Sequence, residues 1–301
     1  PGAQIPFGGI QISPDTDADF YDAASGYKYS HSTLMGFSLT HLSGTGIPDL
    51  GDFLFVPGAG EIKSVPGTHD EPEKGYRSHY SHDKEWASPG YYGVELIDYG
   101  VKAEMTAASR SGFFRFTYPK SDQAFILIDM NHTLWQSCPW ANLRQINDST
   151  LVGYKLVKGW GPERHVYFAA TFSCKLNNFQ ILQNGKPVIY DTKRFRSHLE
   201  AWGEKLMACV RFETQANQEI YVKTAISGVS TEGALRNLQE LNGFDFDRTR
   251  EAADRLWEKE LSKFQVKGDL KTKQTFYTSA YHAALHPFIF QDVDGMYRGL
   301  D

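Results

Sequence analysis

The stretch Tyr91-Tyr-Gly-Val-Glu-Leu-Ile-Asp-Tyr99-Gly100-Val101-Lys-Ala-Glu-Met-Thr-Ala-Ala-Ser109 sets the fold class, together with Phe113-Phe-Arg-Phe-Thr-Tyr118-Pro119 and Ala124-Phe-Ile-Leu-Ile-Asp-Met130 that follow it. Apolar and aromatic side chains alternate with polar ones or form short runs, and Gly100, Ser111-Gly112 and Pro119 interrupt them. A period of two reads as half-buried strand. The same pattern returns at Leu151–Val157, Val166–Phe172, Phe179–Leu182, Leu206–Phe212 and Glu219–Ile226, with Asn184-Gly185 and Asn217 as breaks. Asn-Gly is the pair that a type I′ hairpin turn selects, because both central residues need positive φ. Many short strands with a turn every 8–12 residues predict a large antiparallel β-sandwich or a barrel.

Beyond Ser230 the period becomes 3.6. Ser230-Thr231 is an N-cap pair for a helix over Glu232–Leu241 that stops at Asn242-Gly243. Asp247 is expected to cap a longer helix carrying Ala253, Leu256, Trp257, Leu261 and Phe264 at i, i+3, i+4 spacing. Gly268-Asp269 opens a third, with Phe276, Tyr277, Ala280 and Ala284 on one face before Pro287. Strands first and helices afterwards predict two units, a β-sandwich over 1–228 and helices that leave it over 229–301.

The composition narrows the function classes. The 301 residues carry 31 basic and 36 acidic side chains, a net charge of −5, with a pI near 6.1. That excludes the basic stripe of a nucleic-acid binder and charge-driven docking on anionic lipid. The longest purely apolar run, Ala124–Ile128, is too short to span a bilayer. Aromatic residues make up 14% of the chain, which suits pleated, half-buried surfaces. Cys138, Cys174 and Cys209 are odd in number and lack C-x-x-C spacing, so they read as small buried apolar residues. The chain opens at Pro1 with neither Met nor a basic-then-apolar leader, so any signal peptide is expected to be removed or to lie outside this sequence.

The first ninety residues are loop-rich, and a long loop-rich stretch is usually functional. Asp15-Thr-Asp17-Ala-Asp19 opens like a calcium loop, but Phe20 holds the position that needs Gly and Gly26 the one that needs Glu, so a solvated turn is expected. His79-Tyr-Ser-His82-Asp83 has no distal pair and reads as solvated loop histidines. Gly44-Thr-Gly46 lacks the third glycine of a dinucleotide loop. Two glycine-punctuated polar clusters remain. One runs from Gly36 through Ser38, Thr40, His41, Ser43, Gly44, Gly46 and Asp49 to Asp52; the other is Asp292-Val-Asp-Gly-Met-Tyr-Arg298-Gly-Leu-Asp301. Glycines admit close backbone approach, while hydroxyls, His and Asp offer hydrogen bonds to a ligand.

The ordered series Pro6-Phe-Gly8, Ser13-Pro-Asp-Thr16, Ser25-Gly-Tyr27, Gly36-Phe-Ser38, Thr40-His-Leu-Ser-Gly-Thr-Gly46, Ser88-Pro-Gly-Tyr-Tyr92 and Asp292-Val-Asp-Gly295…Tyr297-Arg-Gly299 resembles the amino-terminal part of glycoside hydrolase family 92. Lys102-Ala-Glu-Met-Thr106 with Arg110-Ser-Gly112 fits the same pattern. The family comprises bacterial exo-acting α-mannosidases, so the resemblance implies a mutarotase-like supersandwich, linker helices and the start of an (α/α)6 barrel.

It further implies calcium-dependent, inverting hydrolysis of terminal α-mannosides, α-1,2-linked in particular, from mannose-rich glycans such as N-glycans. The catalytic acid and base, and most calcium ligands, are expected in the barrel beyond residue 301, so this chain contributes no catalytic residue and no metal ligand and is inactive alone. Its implied substrate-binding residues are His41, Ser43, Gly44, Thr45, Gly46, Asp49, Asp22, Arg298 and Asp301. Its implied partners are the glycan and the remaining (α/α)6 domain, and its implied location is periplasmic, cell-surface or secreted. Where the family often carries Trp and Cys, this chain reads Tyr21-Asp22-Ala23-Ala24, which alters the expected sugar-facing wall. Trp86 likewise stands where a smaller residue is expected.

Two other readings compete. One is a non-catalytic carbohydrate-binding or structural sandwich. The other is an epimerase-like sandwich using Glu95, Glu104 or Asp129, whose alternation instead predicts solvent-facing positions.

Overall fold

A computed structural model describes residues 1–18, 23–44, 46–189 and 199–299. Among these, two antiparallel sheets face each other. The nine-stranded sheet runs in the order β16 (Glu200–Gly203), β11 (Ser137–Gln145), β12 (Thr150–Lys158), β13 (Arg164–Phe172), β18 (Gln218–Ser227), β9 (Ser111–Tyr118), β8 (Val101–Ala107), β7 (Tyr91–Leu96), β6 (Glu85–Ser88). The seven-stranded sheet runs in the order β1 (Ser13–Asp15), β3 (Gly36–Ser38), β4 (Leu54–Ala59), β10 (Ser121–Asp129), β17 (Leu206–Thr214), β14 (Asn178–Gln183), β15 (Lys186–Pro187). A two-stranded ribbon, β2 (Thr33–Leu34) with β5 (Ser78–His79), stands beside them.

Alternation decides which side chains meet. Ala124, Ile126 and Ile128 of β10 point into the main core with Phe114 and Phe116 of β9, while Phe125 and Leu127 join Leu54, Val56 and Tyr76 on the outer face. Rings bridge the two sheets: Phe55 to Phe114 at 4.9 Å and Phe53 to Phe168 at 4.6 Å between centroids. Each such side chain contributes roughly 1.5–3 kcal/mol on full burial. The expected I′ turn joins β14 to β15, with Asn184 at φ 52° and Gly185 at φ 72°.

The loop-rich opening supplies strands that its sequence does not advertise. Pro57 sits inside β4 because β3 pairs with β4 only at Phe37↔Phe55, leaving no ladder bond for Pro57 to miss. Gly58 lies under the Phe125 ring, and a Cβ there would come within 2.4 Å of Cζ.

The first two helices follow the sandwich in sequence but lie on it. Thr231–Asn237 (α1), capped by Ser230, packs Ala234 on Val152, Ala169 and Ala225. Phe246–Leu261 (α2) is capped by Asp245 rather than Asp247, and its Phe246 joins Tyr91 and Phe113 on the outer face. Leu270–Ala283 (α3) starts where Gly268-Asp269 was expected to open it, with Asp269 as its cap. The sheet's outward residues here are small or aromatic, so they need a cover, and α1 and α2 provide it. Glu104 is therefore not solvent-facing: beneath α2 it is 3% exposed, with Arg115 Nη2 at 2.9 Å and the Tyr91 hydroxyl at 2.8 Å. No helix among the described residues is long and apolar enough to cross a membrane.

Candidate functional site

Two fully buried carboxylates anchor the glycine-rich loop. Asp52 accepts a two-pronged contact from Arg164, Nη1 to Oδ2 at 2.6 Å and Nη2 to Oδ1 at 3.1 Å. It also accepts the Thr40 hydroxyl at 2.6 Å and faces Lys155 Nζ at 3.0 Å. Burial alone would push the Asp52 carboxyl up, but Arg164 and Lys155 outweigh it and hold the group well below the usual carboxylate range. Leu50 and Phe53, on either side of Gly51-Asp52, have φ of 70° and 56°. Left-handed backbone at such side chains costs on the order of 1–2 kcal/mol each and persists only where surrounding contacts fix it.

Asp15 forms the second anchor. Its Oδ1 lies 2.8 Å from His41 Nε2 and its Oδ2 2.7 Å from His132 Nε2. Burial again opposes ionisation, and the two histidines reverse it, so this carboxyl also sits far below its ordinary value. The solvated turn expected at Asp15 is thus replaced by a buried cluster, because His41 and His132 converge on it from distant parts of the chain. His41 Nδ1 lies 2.9 Å from the Gln11 carbonyl. Both ring nitrogens are taken up inside the protein, so His41 reaches a ligand only through the loop that it anchors. Lys155 Nζ donates to the His132 carbonyl at 2.5 Å and so joins the two anchors.

Above them opens a cleft of about 860 Å³. One wall is Thr40, His41, Leu50 and Asp52; a second is Lys158 with the turn Gly161–Val166; a third is His286, Phe288–Asp292, Arg298 and Gly299. The third wall is stitched down by the start of the chain. Phe7 N donates to Ala284 O at 2.9 Å and accepts, through its carbonyl, Ile289 N at 3.0 Å. A Cβ on Gly9 would lie 2.6 Å from the Ile289 carbonyl, which is why glycine stands there. Asp292 docks the closing segment by accepting the Ser227 hydroxyl at 2.7 Å and Asn237 Nδ2 at 2.8 Å.

The expected site residues separate. His41 and Arg298 line the cleft. Ser43 adjoins it, its N–H donating to His286 Nε2 at 3.3 Å. Gly44 and Gly46 have φ of 83° and 68°, with nothing within 4 Å of an added Cβ, so conformation rather than space selects glycine. Asp49 turns away and accepts from Leu50 N and from Gln136. Asp22, Thr45 and Asp301 lie outside the described residues. Asp52, the last residue of the expected polar cluster, also lines the cleft, as do Glu163, Arg164 and His165, which sequence reasoning missed. One signal was present: Lys155 shares the inward face of β12 with Leu151 and Val157, and a lysine there demands a buried anion.

Comparison with known proteins fits this layout. The glycosyl hydrolase family 92 N-terminal domain matches residues 1–227, and the glycosyl hydrolase family 92 catalytic domain matches 233–301. The chain belongs to glycoside hydrolase family 92. This family 92 chain is 73% identical to an α-mannosidase of the family from Bacteroides thetaiotaomicron, with a TM-score of 0.97 over all of this chain and 40% of that one. That relative is also solved in complex with mannoimidazole. An inverting family 92 mannosidase from the same organism, 22% identical over 98% of this chain and 38% of its own, shares the fold with a TM-score of 0.80. A protein of Arthroderma benhamiae described as an uncharacterized secreted glycosidase is 24% identical over 98% of this chain and 40% of that protein. The chain thus spans about 40% of the length of these relatives.

Proposed function

We propose that this chain is the amino-terminal part of an exo-acting α-mannosidase that removes terminal, chiefly α-1,2-linked mannose from mannose-rich glycans with inversion. The observation that carries this reading is the 73% identity, along the whole chain, to a family 92 α-mannosidase that has been solved with mannoimidazole. The cleft supports it, being walled both by the segment matching the N-terminal domain and by the segment matching the catalytic domain. We place the division at 228/229, with the sandwich before it and the linker and first part of an (α/α)6 unit after it. A secreted glycosidase among the relatives favours a periplasmic, cell-surface or secreted location.

Inversion needs an acid to protonate the leaving oxygen and a base to activate water, roughly 6.5–9.5 Å apart. The carboxylates lining the cleft among the described residues are Asp52, Glu163 and Asp292. Asp52 is held ionised by Arg164 and Lys155, and the Asp292 oxygens accept from Ser227 and Asn237. Glu163 is the exposed one of the three, its side chain 56% exposed and only loosely paired, 4.0 Å from Lys158 Nζ and 3.9 Å from His165 Nε2. One exposed carboxylate among the described residues is not a pair, so in this reading the acid–base couple comes from the remainder of the enzyme and this chain alone turns nothing over. Calcium, which takes six to eight oxygen ligands, does not fit the described residues of this cleft either, because their buried carboxylates are already committed.

In this reading the chain binds rather than cleaves. Arg298 offers five donors to sugar hydroxyls, Glu163 accepts from them, and the His41–Asp49 loop presents its backbone and Ser43. In the full-length enzyme, Arg298→Ala should lower kcat/KM by about 10- to 150-fold, equivalent to about 1.5–3 kcal/mol, with little change in melting temperature. Near wild-type kinetics in both Arg298→Ala and Glu163→Gln would remove the cleft from the reading. Hydrolysis of an aryl α-mannoside by the 301-residue chain at the full enzyme's rate would remove the division of labour.

A further inference from the structure

Asp17, His31 and His69 come together away from the cleft, each from a different loop: after β1, before β2, and between β4 and β5. One ligand atom from each lies within 4.8 Å of the others. His69 Nε2 stands 3.5 Å from Asp17 Oδ2, and no hydrogen bond satisfies this buried nitrogen. Two ligands about 2.1 Å from a tetrahedral ion lie ~3.4 Å apart, so the pair already has the spacing of metal ligands.

The outer contacts orient both rings. The Thr16 hydroxyl donates to the Gly26 carbonyl at 3.3 Å and accepts Lys28 N at 2.9 Å. What it has left for His31 Nδ1, at 3.0 Å, is a lone pair, so Nδ1 carries the proton and Nε2 is bare. His69 Nδ1 lies 2.9 Å from the Thr33 hydroxyl, which engages that nitrogen while Nε2 faces Asp17. Metal-binding histidines characteristically have their second nitrogen fixed in this way. Burial lowers the pKa of both imidazoles, and Arg77 acts on each in the same direction. Arg77 sits behind both threonines, donating to Thr16 O at 2.6 Å, and the Asp17 carboxylate offsets its charge.

We propose that Asp17, His31 and His69 bind a divalent transition-metal ion of the zinc class, clipping these three loops together. Two imidazoles and one carboxylate favour zinc over calcium or magnesium, which take oxygen. The side chains of His69 and Asp17 are 34% and 22% exposed, which leaves a path for the ion and room for water at the fourth position.

The test is a Zn²⁺ titration by calorimetry of the full-length protein, stripped with chelator and returned to calcium, alongside visible absorption of bound Co²⁺. One ion per chain with micromolar or tighter affinity is expected, together with a tetrahedral Co²⁺ band. Thr33→Val, which removes the contact behind His69 and a 3.3 Å hydrogen bond from Arg77 to the same hydroxyl, should weaken binding by roughly 10- to 100-fold, and His31→Ala and His69→Ala by more. Where an alanine variant fails to fold, Asp17→Asn substitutes for it, and loss of its Co²⁺ band is the expected result. Millimolar binding by the wild type, or unchanged affinity and unchanged Co²⁺ spectra in the variants, overturns the proposal.

Discussion

Asp52 and Asp15 lie beneath the same cleft, equally buried, yet they are stabilised by partners of different kinds. Asp52 faces Lys155 and Arg164, an ammonium and a guanidinium that only donate. Asp15 faces His41 and His132, imidazoles, whose ring nitrogens can accept as well as donate hydrogen bonds. The difference teaches that the cost of losing a buried charge depends less on the charge than on what its partner can then do. An ammonium only donates and needs an anion in the dry interior, whereas an imidazole can both donate and accept hydrogen bonds.

The contrast predicts a ranking. Asp52→Asn should cost about 3–5 kcal/mol, the range for breaking a buried ion pair by removing one partner, because Lys155 is left fully buried. Asp15→Asn should cost less, about 1–3 kcal/mol, since an imidazole, unlike an ammonium, can accept as well as donate a hydrogen bond. Urea unfolding of the two variants measures both, and equal losses would remove the distinction. Acid adds a third comparison. Each carboxyl is depressed in the folded protein, so its contribution is fully present above the unfolded value near 3.9 and is lost as pH falls below that. Each group can steepen the acid limb by at most about 1.4 kcal/mol per pH unit, and Asp15→Asn should flatten the limb by its share. An unchanged acid slope would mean that Asp15 is not linked to folding. The smallest effect is expected from Ser38→Ala, about 0.5–1.5 kcal/mol, since it removes only the hydroxyl 3.1 Å from His41 Nε2.

The sequence by itself determined every strand whose signal is local. β7 to β10, β12 to β14, β17 and β18 fall where alternation and turn residues put them, and Asn184-Gly185 turns as its chemistry requires. Ser230 and Asp269 cap their helices, while Asp245 takes the place expected of Asp247. The family, too, was legible in motifs along the chain. Periodicity, caps and two-residue turns act within about ten residues, so a one-dimensional reading contains them.

Tertiary structure decided the rest. β4 carries a proline and a glycine that argue against a strand, and only the vacancy beside Pro57 and the Phe125 ring over Gly58 make it one. Glu104 reads as solvent-facing until α2 covers it. Asp15 reads as part of a solvated turn until His132, 117 residues away, meets it, and Asp52 meets Arg164 across 112 residues. No local pattern encodes such pairings. A buried charge is tolerable only beside its counter-charge, and which residues become neighbours in the dry interior is settled by how the sheets pack, not by the spacing of residues along the chain.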